Sequence, residues 1–278
     1  MELEIIAIYC WAELIVNMMN IEDDCRTIMT TAEVITTAIV AGRFFFGNFE
    51  TARKFLKDHG YIPDMLSKSR LNRRLHSLGA ELLQDISKMI GEIFKSTNTT
   101  QEYAVDSFPV PVCENCRIFH SKIYHDEKYR GYQASKKRYF YGIKVHMIVT
   151  VDGLPIEFIL TPGSCADVKA FKGLDLDLPE GATIYADKAY TDYEEEDFLK
   201  SLGINLLPQR KENAKKQFSG CMNFIINQNR KMVETTFGGI AKLFPKHIHA
   251  INSAGFELKV ALFSCVPAFC LAAKMLGN

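Results

Sequence analysis

A chain of 278 residues is long enough for one large domain or two ordinary ones, and 47% hydrophobic with 24% charged residues excludes a largely disordered, collagen-like or coiled-coil protein. Net charge is zero, 33 basic against 33 acidic residues, yet the balance runs −6 over residues 1–50, +4 over 51–100, +3 over 101–150, −8 over 151–200 and +7 over 201–278. Neutrality is therefore a sum of signed segments, which leaves room for local cationic surfaces. The eight cysteines are scattered, Glu2 and Glu4 stand where a signal peptide needs positive charge, and the longest apolar stretch, residues 260–273, is short for a bilayer. A reduced, cytoplasmic protein with no membrane contact is expected.

Residues 1–98 read as an all-helical N-terminal domain of four or five helices. Residues 48–59 fit an amphipathic helix ended by Gly60. After Pro63, Ser67 is a candidate N-cap for a helix whose Leu71, Leu75 and Leu78 form a buried stripe while Arg70, Arg73 and Arg74 fill the outer face. A basic helix after a short turn suits the second helix of a helix-turn-helix, its cations meeting DNA phosphates; a solvated amphipathic helix is the plainer reading.

The polar run at residues 96–100 marks the boundary, and in residues 99–278 the apolar period becomes two. Residues 103–108 read as a strand, and Tyr141, Ile143, Val145 and Met147 alternate with Gly142, Lys144 and His146. Asp152-Gly153 then turns the chain into a second hairpin strand at 155–160. A short helix at 168–174, a buried strand at 183–186, an acidic helix at 193–202 and a strand at 204–207 follow. Residues 227–244 form a helix with Val233, Phe237, Ile240 and Phe244 on one face, and residues 254–276 an apolar helix expected along the sheet. Three antiparallel strands followed by alternating helices and strands predict an α/β mixed sheet flanked by helices.

Three carboxylates stand out by position. Asp106 lies among apolar neighbours in the first strand, Asp187 ends the strand at 183–186, and Glu234 sits mid-helix. An acid inside an apolar strand is costly unless paired or metal-bound. Two such acids at neighbouring strand ends and a third from a helix make an oxygen-only cage suited to hard divalent cations. Simple caps of strand-end turns are the alternative.

The segments Tyr103-Ala-Val-Asp106-Ser-Phe-Pro-Val, Ile184-Tyr-Ala-Asp187-Lys-Ala-Tyr-Thr-Asp and Arg230-Lys-Met-Val-Glu234-Thr-Thr-Phe resemble the three acidic motifs of bacterial insertion-sequence DDE transposases, in order and at intervals of 81 and 47 residues. The resemblance extends to the Asp-Gly hairpin, to Thr161-Pro-Gly-Ser before Asp167 and to the arginine-rich run at 69–75. It implies a ribonuclease-H-like catalytic domain over 99–278 that binds two Mg²⁺ or Mn²⁺ ions and cuts and joins double-stranded DNA at transposon ends. It further implies that Asp106 and Asp187 hold both metals, that Glu234 completes the second site, and that Arg230 contacts phosphate or orients Glu234. The chain departs from many relatives in having Ala241 seven residues after the glutamate, with Lys242 one place later, and Ala166 in place of a histidine. For Asp167 a supporting role in the site is one reading, and a helix N-cap explains it better.

Cys113, Cys116, His120 and His125 invite a zinc reading, but their spacing is compact for a structural site. Residues 117–138 interleave tyrosines with cations, among them Lys136, Lys137 and Arg138, as a DNA-end surface would; a solvated flexible loop is the alternative. Arg210, Lys211, Lys215 and Lys216 suggest a second cationic loop near the acids, and the acidic helix reads as an outer solvated face. The expected function is DNA cleavage and strand transfer by a homodimer or larger assembly on DNA. A stand-alone metal-dependent nuclease and a catalytically silent DNA-binding protein are the competing readings.

Overall fold

The computed structural model describes residues 1–276; Gly277, Asn278 and the side chains of Ser135, Met232 and Val233, the last expected on a buried helix face, lie outside that description. Contacts divide the chain into two compact units, residues 1–90 with 242–278 and residues 91–241. The division falls a few residues before the polar run at 96–100 and assigns the C-terminal helix to the first unit, where the sequence pattern had assigned it to the second.

The first unit is helical. α1 (Glu2–Met18) buries Ile5, Ile8, Trp11, Ala12, Ile15 and Val16 along one stripe. α2 (Thr31–Phe44) opens with a reciprocal capping box between Thr30 and Glu33 and is buried from Thr31 to Ala41 except at Glu33. α3 (Phe49–Asp58) is capped by the Asn48 side chain. α4 (Lys68–Thr97) begins immediately after Ser67 and carries the basic run in its first turns; it breaks at Gly79, whose φ of 73° lies in the left-handed region. Counting the break, α1–α4 are the four or five helices expected.

α8 (Ser253–Leu276) packs against α1 and α2, not along the sheet. The correction has a physical basis: a helix apolar on nearly every side needs apolar cover all round, and the stripes of α1 and α2 supply it. Its 24 residues are long and apolar enough to cross a membrane, contrary to the expectation from residues 260–273, and 83% of its most apolar window is buried inside the protein.

The second unit is built on a six-stranded mixed sheet. β3 (Arg138–Thr150) lies antiparallel to β1 (Glu102–Cys113) on one side and, on its other side, to both β2 (Arg130–Gln133) and β4 (Pro155–Pro162). β5 (Thr183–Ala186) runs parallel to β1, and β6 (Asn205–Pro208) parallel to β5. Leaving the short β2 aside, the order is β4-β3-β1-β5-β6 with the first three strands antiparallel, a ribonuclease-H-like sheet. β1 pairs with β5 only at Glu102–Ala104, so Pro109 and Pro111, which cannot donate a ladder hydrogen bond, lie past the end of that pairing. The last part of α4 meets β4 at Gly91, where a β-carbon would lie 1.9 Å from the Ile156 carbonyl oxygen; only glycine permits that approach.

Three further helices complete this unit: α5 (Asp167–Phe171), α6 (Tyr193–Ser201) and most of α7 (Gly220–Leu243). The cation- and tyrosine-rich segment is ordered into short 3₁₀ turns, β2 and the start of β3, with Tyr124 stacked on Tyr129 at 3.7 Å. In place of the flexible loop of the alternative reading there stands a structured hairpin, with Lys136 and Lys137 at its tip and Arg138 opening β3.

Candidate active site

β1 and β5 pair with Ala104 opposite Tyr185, so two residues further on Asp106 comes level with Asp187 and projects from the same face. Asp187 accepts a hydrogen bond from the Lys188 amide at 2.6 Å and caps the short turn Lys188–Tyr190, so the capping role belongs to it in part. Asp106 has no such role. It lies mid-strand, where Oδ1 accepts from the Ser107 amide at 2.8 Å and Oδ2 from Arg230 Nη1 at 3.2 Å.

Arg230 reaches this face from α7. Its other terminal nitrogen lies 3.6 Å from Glu234 Oε1, one turn along the same helix, so the guanidinium bridges the two carboxylates. Phe237, one turn further, meets the ring of Phe108 at 6.3 Å and holds α7 over the strand. The Arg230 side chain is 6% exposed and Glu234 63%, so a buried cation carries an open carboxylate at the rim. Burial pushes the Asp106 carboxyl above its usual range; Arg230 and the Ser107 amide pull it down, and Asp187 pushes it up.

The opposite face of β1 and β3 carries a cluster that the alternating pattern marked only as polar. Ser107 lies opposite His146, and on this face its hydroxyl donates to Asp167 Oδ1 at 3.1 Å. Lys144 Nζ donates to the same oxygen at 3.0 Å and to the Cys165 carbonyl at 2.8 Å. His146 is fully buried, with Nε2 at 2.9 Å from the Thr161 hydroxyl and Nδ1 at 3.8 Å from Asp167. Asp167 is thus not an N-cap: Ala166 occupies the cap position without a side-chain bond, and the aspartate turns to the sheet because a lysine and a serine await it there. Ser107, Lys144 and His146 were missed as partners because period two says which face a residue takes, not whether that face is covered.

The predicted cations separate into free and paired. Arg70 and Arg73 are exposed on α4, whereas Arg74 donates to Asp23 at 2.8 Å and to Thr31. Lys136, Lys137 and Arg138 are exposed at the hairpin, and Lys242 is exposed in the last turn of α7. Arg210 is buried: it donates to Glu196 at 2.7 Å and stacks over Phe218 at 4.5 Å. Lys216 pairs with Asp197, and Lys172 with Asp192 and Glu195. The acidic helix is therefore not merely solvated. It neutralises Arg210 and Lys216, and the 210–216 segment is less cationic than its composition.

Among the described residues, no group of three or more His, Cys, Asp or Glu side chains stands close enough to hold a metal ion. Cys113, Cys116, His120 and His125 are accordingly not gathered into a zinc site, and the two cysteines are free thiols. Asp106 and Glu234 are bridged by Arg230 instead, and Asp187 accepts from the Lys188 amide. Their chemistry nonetheless suits a hard divalent cation: oxygen donors only, two of them level on adjacent strands, with a third on the covering helix.

The site thus sits on an α/β mixed sheet, with acids on β1, at the end of β5 and on the covering helix α7. The family model for the transposase DDE domain matches residues 95–249, more than half of the chain, and the protein belongs to that family, whose members act on DNA and in general use divalent metal ions. No curated protein matches the chain. A solved structure described as a piggyBac transposase synaptic complex with hairpin DNA is similar at 12% identity and a TM-score of 0.47, covering 99% of this chain and 73% of that one.

Proposed function

We propose that this transposase cleaves DNA at the ends of an insertion sequence and joins the freed 3′ ends to target DNA, with Asp106, Asp187 and Glu234 as its catalytic acids. The observation that carries the reading is the level placement of Asp106 and Asp187 on adjacent parallel strands, with Arg230 and Glu234 brought over Asp106 by α7. These acids would hold two Mg²⁺ or Mn²⁺ ions. When bound, such ions activate the attacking oxygen and stabilise the leaving one in phosphoryl transfer. Arg230 supplies a fixed positive charge beside the reacting phosphate and keeps Glu234 turned toward Asp106.

Exposed cations are the reading's support for a double-stranded DNA partner. Asp106 pairs with Met147, and Arg138 lies nine residues from Met147 along β3, which puts the hairpin tip roughly 30 Å from Asp106. Lys136, Lys137 and Arg138 would then meet phosphates about nine base pairs from the scissile bond. Arg70 and Arg73 on α4 form a second contact in the helical unit, with Lys242 as an additional phosphate ligand. One set of acids per chain serving two DNA ends calls for at least two protomers.

The test is cleavage of labelled insertion-sequence-end DNA with Mg²⁺ or Mn²⁺ by the parent and by Asp187→Ala. Metal-dependent nicking that vanishes in the variant while DNA binding persists supports the assignment, and equal cleavage by both overturns it. Strand transfer from precleaved ends separates a transposase from a stand-alone nuclease.

A further inference from the structure

We propose that Asp167 is a positioning residue for Asp106 and acts through Ser107. The inference rests on the reading that Asp106 is a metal-binding carboxylate. Ser107 is clamped from both sides of the sheet: its hydroxyl donates to Asp167 at 3.1 Å on the α5 face, while its amide donates to Asp106 Oδ1 at 2.8 Å. Asp167 is itself fixed by Lys144 at 3.0 Å, and Lys144 by the Cys165 carbonyl at 2.8 Å. Lys144 and Asp167 side chains are 13% and 21% exposed, so solvent does little to loosen the chain of bonds.

The consequence is a choice between the two oxygens of Asp106. With Oδ1 held by the Ser107 amide, Oδ2 is the oxygen turned toward α7, where Arg230 now meets it. A carboxylate free to rotate would present either oxygen and would lose orientational freedom on binding a cation. One held by a ladder of hydrogen bonds has lost it beforehand, which is how outer-shell partners tighten a metal site. A buried ion pair kept for stability alone is readily replaced by apolar side chains. This pair also serves a serine hydroxyl adjacent to a site acid, so the arrangement has a use beyond packing.

The experiment is Mn²⁺ binding to the full-length protein without DNA, followed by calorimetry. Ser107→Ala is expected to weaken binding about tenfold, with a melting temperature within a few degrees of the parent's, and Ser107→Thr, which keeps the hydroxyl, to bind as the parent does. Asp167→Ala is expected to match Ser107→Ala, and the double variant to be no weaker than the weaker single, since both cut one path. Should Asp167→Ala fail to fold, the Ser107→Ala and Ser107→Thr pair decides. Binding lost in Asp187→Ala but unchanged in Ser107→Ala overturns this inference alone. Absence of Mn²⁺ binding by the parent overturns the metal reading and this inference with it.

Discussion

The two faces of the β1–β3 pair carry the same kinds of groups in opposite states. On the α7 face, Arg230 joins Asp106 to a glutamate that is 63% exposed; on the α5 face, Asp167 joins Lys144 to a serine beside a fully buried histidine. The aspartates of the two pairs are about equally exposed, Asp106 at 23% and Asp167 at 21%; what opens the first face is Glu234 at its rim, and what closes the second is the buried His146 beside it. The difference teaches that charge pairing alone does not mark a reaction centre. A phosphodiester needs carboxylates it can reach, whereas a closed pair can only hold neighbouring groups in place.

Removing an acid from the open face should break the comparison most sharply. Asp106→Asn is expected to lower DNA cleavage by about a thousandfold or more while binding to the same DNA changes by less than about threefold. Cleavage kinetics and anisotropy on one preparation check both halves. On the closed face, Lys144→Met would leave the Asp167 charge buried without its cation and cost about 3 kcal/mol in stability. Pairing it with Asp167→Leu, which removes the stranded charge, should restore most of that loss, as read from urea unfolding at neutral pH.

Acid should also distinguish the faces. His146 is fully enclosed, and burial, with Lys144 adding to it and Asp167 opposing, depresses its pKa to about 4. The folded state then resists protonation that the unfolded chain accepts near 6.5, so stability is complete above the unfolded value and is lost as pH falls from about 6.5 toward 4. The loss amounts to up to about 3 kcal/mol. Urea titrations across this window should show the slope in the parent and a shallower one in His146→Gln.

Much of the open face was legible in the sequence because its signals are local. An acid in the apolar strand of Asp106, another at the end of Thr183–Ala186 and an i,i+4 pair of Arg230 and Glu234 each lie within a few residues of their context. The alternation around Tyr141–Met147 likewise announced β3 and its hairpin with β4. The closed face was not legible, because Ser107, Lys144 and Asp167 are brought together by strand register and by a separate helix that begins beyond the β3–β4 hairpin. α8 shows the same limit: its composition demanded burial but did not say whether the sheet or α1 and α2 would provide it. The pairing of Arg210 with Glu196 was hidden for the same reason, since both belonged to segments read separately as charged and solvated.

The distinction between closed and open charges sorts the cations as well, with smaller effects. Arg70 and Arg73 are exposed, so each should act as a phosphate contact: replacing either by alanine is expected to weaken DNA binding uniformly across sequences and to reduce the salt slope by about one. Arg74 stands on the same helix but is held by Asp23 and Thr31, whose charge and hydroxyl already use its hydrogens. Arg74→Ala should therefore cost about 1 kcal/mol of stability and leave the salt slope within error of the parent's. Lys216 pairs with Asp197 at the surface, where both are more than half exposed, and Lys216→Ala should change neither stability nor DNA affinity measurably. A salt titration of these four variants thus tests whether paired arginines take part in DNA binding, and a slope change in Arg74→Ala equal to that in Arg70→Ala would show that DNA displaces Asp23.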